Sequence, residues 1–258
     1  MSFKVVIPAR HGATRLPGKP LRLIAGLPMI QYVYRRAVDS GAEEVIIATE
    51  HELVAQMARS FGATVCMTGD QHLCGTDRIA EVVAQRGWAD DAVVVNLQGD
   101  EPTMPAVNVT RVAENLQAQA TAQVATLSTP IGTVEELLDP NVVKVVCDRD
   151  DFALYFSRAP IPWHRDGGFS LDAGMPPGLW LRHLGIYAYR AGALRAFAAL
   201  GPSELERQES LEQLRAQWGG MRIHVAEAPA LPGAAVDTEA DLARVEALFR
   251  QQSLQQTG

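Results

Sequence analysis

The densest chemistry in the chain lies in residues 7–21, IPARHGATRLPGKPL, where Arg10, Arg15 and Lys19 are interleaved with Gly12 and Gly18. Guanidinium and ammonium groups donate charge-assisted hydrogen bonds to phosphate oxygens. Glycines let backbone N–H groups approach an anion closely. Three cations within ten residues suit a triphosphate. The order is neither that of a P-loop nor that of a dinucleotide-binding turn. A solvated basic loop packed by Leu16 and Leu21 accounts for the same residues, and the pattern alone leaves both readings open.

A second signal is residues 93–102, VVVNLQGDEP, in which a valine run passes directly into Gln98, Gly99, Asp100 and Glu101. Magnesium prefers one or two carboxylates together with phosphate oxygens, so Asp100 reads as a metal ligand rather than only a turn former. In residues 234–242, AAVDTEADL, Thr238 and Asp241 have capping-box spacing. That leaves Asp237, just ahead of the cap, available to share a metal with Asp100, although favourable electrostatics at a helix start explain it as well. Gln98 can both donate and accept. CGTDR, residues 74–78, opens a helix with backbone groups suited to a base edge, with Thr76 as its expected N-cap.

Positioning such residues requires a scaffold, and the hydrophobic pattern supplies one. Residues 4–7, 44–48, 64–67, 92–97 and 123–128 read as strands. Residues 29–40, 52–61, 77–85 and 105–119 read as helices, the first two closed by Gly41 and Gly62. Strand–helix alternation with strands apolar on both sides predicts an α/β, Rossmann-like fold: a mainly parallel sheet flanked by helices. Ligands in such folds sit beyond the carboxyl ends of the strands, which places the basic loop and Asp100 on one edge.

After about residue 130 the rhythm changes. Residues 142–147, 153–157 and 184–189 read as strands without regular helices between them, a mixed or antiparallel insertion spanning about 150–200. Residues 163–177, rich in glycine, proline and charge, read as a mobile loop between Trp163 and Trp180 that lids the site or meets a second subunit. Helices return at 205–218 and 238–251, before a frayed tail. His183 and Tyr187, four apart on a strand, share a face. Lys144, alternating with valines, is expected to point out of the apolar face. With no repeat or low-complexity linker, residues 1–258 read as a single domain.

Composition narrows the function. The chain has 258 residues, 47% hydrophobic and 21% charged, enough for one sizeable core. A net charge of −7 without any basic run argues against a nucleic-acid partner. The apolar run ahead of Pro8 and Arg10 is too short for a signal peptide or a membrane span, so no membrane partner is expected and the chain reads as cytoplasmic. Cys66, Cys74 and Cys147 lack the spacing of a disulfide framework or a zinc site.

Six segments, IPAR…TRLPGKPL, LQGDEP, YFSRAPIPW, LRHLGIYAYR, ESLEQLR and VDTEADL, follow one another across almost the whole chain. In that order they resemble the 3-deoxy-manno-octulosonate cytidylyltransferases, or CMP-KDO synthetases. The resemblance implies transfer of CMP from CTP to the acid sugar KDO, with release of pyrophosphate, for lipopolysaccharide biosynthesis. It also implies Mg²⁺ as cofactor and a homodimer built through the insertion. Arg10, Arg15 and Lys19 would hold the triphosphate and Asp100 and Asp237 the metal, these five forming the catalytic set. Pro8, Ala9, Gly75 and Gln98 would complete the nucleotide site. Gln98, Arg158, His183, Tyr187, Glu212 and Gln213 would bind the sugar.

Cys74 stands where the family more often has serine. A thiol is a weaker hydrogen-bond partner, which shifts base recognition to Gly75 and the backbone. Taken singly, Arg158 reads equally as a surface ion pair, His183 and Tyr187 as packing, and Glu212 as a partner of Arg215. Two enzyme alternatives remain: a cytidylyltransferase for a related sugar, amino-KDO or a nonulosonic acid, and a glycosyltransferase, which would carry an Asp-x-Asp motif that QGDEP lacks. A non-catalytic nucleotide-binding module would lack one of the five catalytic residues.

Overall fold

A computed structural model describes residues 2–12, 16–72, 74–165, 168 and 178–256. Arg15 and most of the glycine- and proline-rich segment between Trp163 and Trp180 lie outside these residues. The strands are β1 (Lys4–Pro8), β2 (Leu23–Ile24), β3 (Leu27–Pro28), β4 (Glu44–Thr49), β5 (Thr64–Met67), β6 (Val93–Asn96), β7 (Val124–Pro130), β8 (Lys144–Cys147), β9 (Ala153–Ser157), β10 (Leu181–Arg190) and β11 (Ile223–Glu227). The helices are α1 (Met29–Asp39), α2 (Glu52–Ser60), α3 (Gly75–Arg86), α4 (Ala106–Ala118), α5 (Val134–Leu138), α6 (Ala191–Ala199), α7 (Glu204–Glu209), α8 (Gln213–Trp218) and α9 (Glu239–Gln256).

The main sheet runs β11-β7-β10-β6-β1-β4-β5. β1 pairs in parallel with β4 on one side and β6 on the other. The chain thus builds outward through β4 and β5, then returns to lay β6 against the free edge of β1. That reversal opens a crevice beyond Pro8, the place where open α/β sheets take ligands. β10 runs antiparallel between β6 and β7, so the segment expected as an insertion contributes a strand inside the sheet. β8 and β9 extend the sheet from the start of β10.

Alternation along the strands feeds two cores. Val5, Ile7, Val93 and Val95 face Ile30 and Val33 of α1 and Val109 and Val112 of α4. Val6, Ile46 and Val94 face Ile79 and Val83 of α3 and Leu194 and Phe197 of α6. A third cluster joins Leu16, Ile24 and Met29 to Val236, Leu242, Val245 and Phe249, tying the basic loop to α9. No helix among the described residues is long and apolar enough to cross a membrane.

Several expectations are corrected. The single helix expected at 205–218 is two, because Ser210 adopts φ +52 and ends α7. α5 and α6 occupy stretches read without helices. Thr76 lies inside α3, whose N-cap is Cys74. Lys144 does not point outward. It is fully buried, and its Nζ donates to the Asp139 carbonyl at 3.0 Å. Burial holds its pKa below the usual lysine range. The tail expected to fray continues α9 to Gln256.

Candidate active site

Three chain segments meet at the end of β1 because two glycines allow it. A Cβ on Gly99 would lie 2.8 Å from the Pro8 carbonyl oxygen, and one on Gly75 would lie 3.3 Å from the Pro8 ring. The turn after β6 and the start of α3 therefore close directly on Pro8. The cleft they frame has a volume of about 570 Å³. Pro8, Ala9, Arg10, Lys19, Gly75, Gln98, Asp100 and Asp237 line one part of it, and Arg158, Tyr187, Glu212 and Gln213 another. His183 lines an adjoining cavity of about 260 Å³, which shares Glu101, Gly185, Tyr187, Leu211, Gln213 and Ala235 with the cleft.

The two aspartates meet through a lysine. Lys19 Nζ donates to Asp100 Oδ2 at 2.7 Å and to Asp237 Oδ1 at 2.8 Å. Lys19 stands at the first position of a short 3₁₀ turn after Gly18, and Asp237 precedes the Thr238–Asp241 capping box that starts α9. No group of three or more His, Cys, Asp or Glu side chains that could hold a metal occurs among the described residues. The donor set is a pair of hard carboxylate oxygens already closed on a cation, which suits Mg²⁺ completed by phosphate oxygens. Glu101, half-buried beside this pair, has its carboxyl pushed up to about 8 by loss of water and then by the Asp100 charge.

Toward the other end, a bulge in β10 between Leu184 and Tyr187 still leaves His183 and Tyr187 on one face, ring centroids 5.3 Å apart. Burial drives His183 down to about 3, so it is neutral at physiological pH. Its Nε2 lies 2.9 Å from Thr126 Oγ1, and that hydroxyl also contacts the Leu184 and Ile186 carbonyls. Carbonyls only accept, so the hydroxyl hydrogen goes to one of them and the assigned tautomer is Nε2–H. Nδ1 is left as an acceptor. Gln213 is buried, and its Nε2 has no hydrogen-bond partner, an unmet donor at the wall shared by both cavities.

Glu212, at the N-cap of α8, accepts from Thr76 Oγ1 at 2.9 Å rather than pairing with Arg215, and burial raises its pKa. Cys74 bonds Asp77 Oδ2 at 3.2 Å, and burial, then the charge of Glu212, holds its thiol protonated. Arg158 is not in a surface ion pair. Its guanidinium donates to the carbonyls of Glu209, Pro140 and Ser210, bracing the break between α7 and α8.

Three further ion pairs, made by two arginines, hold these elements, and neither arginine stands out in the sequence. Arg78 pairs with Glu50 at 2.8 Å, while Glu50 accepts the His11 N–H and so steadies the basic loop. Arg215 bonds Glu206 twice and Asp77 once, locking α8 to α7 and α3. Their signals were the last residue of CGTDR and the arginine of ESLEQLR, both readable as surface charge.

The cytidylyltransferase family model matches residues 4–223. The 3-deoxy-manno-octulosonate cytidylyltransferase of Thioalkalivibrio sulfidiphilus is 55% identical over 250 residues, 97% of this chain and 100% of the relative. That of Halorhodospira halophila is 56% identical over 245 residues, 95% of each. The chain belongs to the 3-deoxy-manno-octulosonate cytidylyltransferase family. A solved structure of CMP:2-keto-3-deoxy-manno-octonic acid synthetase complexed with CTP matches with a TM-score of 0.87 and 42% identity, covering 97% of this chain and 99% of that one. A nucleotidyl transferase from Methanothermobacter thermautotroptrophicus, 17% identical with a TM-score of 0.59 over 97% of this chain and 98% of its own, shares the fold. This cytidylyltransferase thus shares its overall fold with a nucleotidyl transferase of low sequence identity.

Proposed function

We propose that the protein transfers CMP from CTP to the anomeric hydroxyl of KDO, giving CMP-KDO and pyrophosphate, for lipopolysaccharide biosynthesis. The observation that carries this reading is the joining of two cavities. The cleft with Arg10, Lys19, Asp100 and Asp237 shares a wall with the cavity of His183, so a phosphate-bearing and a polyol-bearing ligand come into contact. Pro8, Ala9, Arg10, Arg15, Lys19, Gly75 and Gln98 are assigned to the nucleotide. Gln98, Arg158, His183, Tyr187, Glu212 and Gln213 are assigned to the sugar. Neutral His183 would accept a hydrogen bond from a sugar hydroxyl at Nδ1. Gln213 Nε2 gains the acceptor it lacks.

Asp100 and Asp237 would hold Mg²⁺, which when bound would neutralise phosphate charge and align the leaving pyrophosphate. The protein's part is alignment. The close approach of Gly99 and Gly75 to Pro8 would fix the nucleotide end of the cleft against β1, and the shared wall would let the sugar's hydroxyl reach the nucleotide. No covalent nucleophile is needed, and the protonated Cys74 thiol is a poor one. A single α/β domain with residues 150–200 serving the sugar and a dimer contact, and a cytoplasmic site of action, complete the proposal. The test is pyrophosphate release with CTP, KDO and Mg²⁺ omitted in turn and with ATP, GTP or UTP replacing CTP. Release that requires all three and prefers CTP supports the reading. Release with another nucleotide at equal rate, or without KDO, refutes it.

A further inference from the structure

The same ammonium closes both carboxylates assigned to the metal, and this has a consequence for the order in which ligands enter. With contacts of 2.7 and 2.8 Å on one nitrogen, Asp100 Oδ2 and Asp237 Oδ1 can be no more than about 5.5 Å apart, the sum of the two. A magnesium ion bonded to both of these oxygens, at about 2.0–2.1 Å each, needs them no more than about 4.2 Å apart and would stand between them, where the ammonium now is. An ammonium and a divalent ion cannot share that space, since they repel at contact distance and the Lys19 side chain is only 13% exposed. One must leave before the other binds.

We propose that Lys19 is a built-in cation that closes the carboxylate pair of the nucleotide-free enzyme, so that a divalent ion enters only as a triphosphate draws the ammonium away. The inference rests on the assignment of Asp100 and Asp237 to the metal. Lysine suits the task because its charge is compact and its four-carbon stem turns freely, unlike the rigid fork of arginine. Lys19 also stands at the end of the basic loop that carries Arg10, so an anion seated there lies within reach of the side chain. The phosphate would act twice: it accepts the ammonium, and it supplies the remaining oxygens that magnesium requires. By reciprocity, metal and nucleotide each strengthen the other's binding through this one side chain.

The test measures binding rather than turnover. Mn²⁺ is titrated into metal-free, full-length protein and its free fraction is read by electron paramagnetic resonance, without nucleotide and then with CTP, the Mn²⁺ bound by CTP alone being measured without protein and subtracted. Lys19→Gln is expected to bind Mn²⁺ at least about tenfold more tightly than wild type without nucleotide, and Lys19→Gln/Asp100→Asn to lose that gain. Arg10→Gln removes a cation from the same cleft but not from between the carboxylates, and is expected to change affinity less than about threefold. In melting curves, Lys19→Gln is expected to fall below wild type in chelator and to recover with Mn²⁺, whereas wild type does not move. The inference is overturned if Lys19→Gln binds no more tightly than wild type, or if Arg10→Gln gains as much. Should Lys19→Gln not fold, wild type alone decides: Mn²⁺ binding as tight without CTP as with it overturns the inference. Absence of Mn²⁺ binding in every form, CTP present, removes the metal assignment and the inference together.

Discussion

Arg215→Met probes the support beneath α8, on the side of the cleft proposed to take the sugar. The guanidinium is 3% exposed, bonded to Glu206 at 2.6 and 2.8 Å and to Asp77 at 3.1 Å, and stacked 4.5 Å from the Phe197 ring centroid. Methionine keeps most of the stem's packing but strands two carboxylates that are only 12% and 15% exposed. Removing one partner of a buried ion pair costs about 3–5 kcal/mol, and the water these carboxylates retain places this case near the lower figure. For a chain of this size each kcal/mol lowers the melting temperature by about 2–4 °C, which gives a fall of about 6–12 °C. Calorimetry at neutral pH measures it directly. Because Arg215 fixes α8, which begins at Gln213, the KM for the sugar should rise more than the KM for CTP. Arg215→Met/Asp77→Asn/Glu206→Gln, with no charge left unpaired, should recover at least half of the lost stability. A single variant melting within about 2 °C of wild type, or a triple variant no better than the single, would refute the reasoning.

His183 gives a pH prediction whose sign follows from its depressed pKa. The unfolded chain takes up this proton near pH 6.5 and the folded one only near about 3, so stability is intact above pH 6.5 and declines as pH falls toward 3. At pH 5 the loss from this residue is about 2 kcal/mol, and His183→Gln should flatten that part of the acid limb in denaturant titrations. For Gly99→Ala, a Cβ 2.8 Å from the Pro8 carbonyl forces the turn off β1. Turnover should fall by about 10²-fold, since a displacement of about 1 Å in a positioned site costs that much. A steady-state assay showing less than a threefold change would count against the close approach. Asp100→Asn and Asp237→Asn should each remove most turnover while the circular dichroism spectrum and the melt stay near wild type. Near-normal activity in either would show the metal to be elsewhere.

The sequence made β1, β4 and β6 legible because their valine and isoleucine runs are short and largely apolar. It could not show that β10 enters the middle of the sheet, since pairing with both β6 and β7 is a long-range choice written in no local pattern. Periodicity across residues 205–218 is nearly unbroken, yet Ser210 turns left-handed there, at a break where Arg158 donates to the carbonyls of Glu209 and Ser210. Lys144 was misjudged for a similar reason: alternation predicts the face of a strand, but not that β8 is covered on both. The site residues were legible by type and by family resemblance. Their mutual contacts were not, because Lys19 reaches Asp100 across 81 residues and Asp237 across 218.

That last separation bears on how the enzyme is made. The Lys19 loop emerges from the ribosome early and Asp237 nearly last, so at about 5–20 residues per second roughly ten to forty-five seconds pass between them. Through that interval the loop has neither its second carboxylate nor the seat that Val236, Leu242, Val245 and Phe249 make for Leu16 and Met29. A nascent or prematurely terminated chain thus carries the basic loop without the means to complete it. On the proposed function, a translation product cut short before Asp237 and α9 is expected to be inactive.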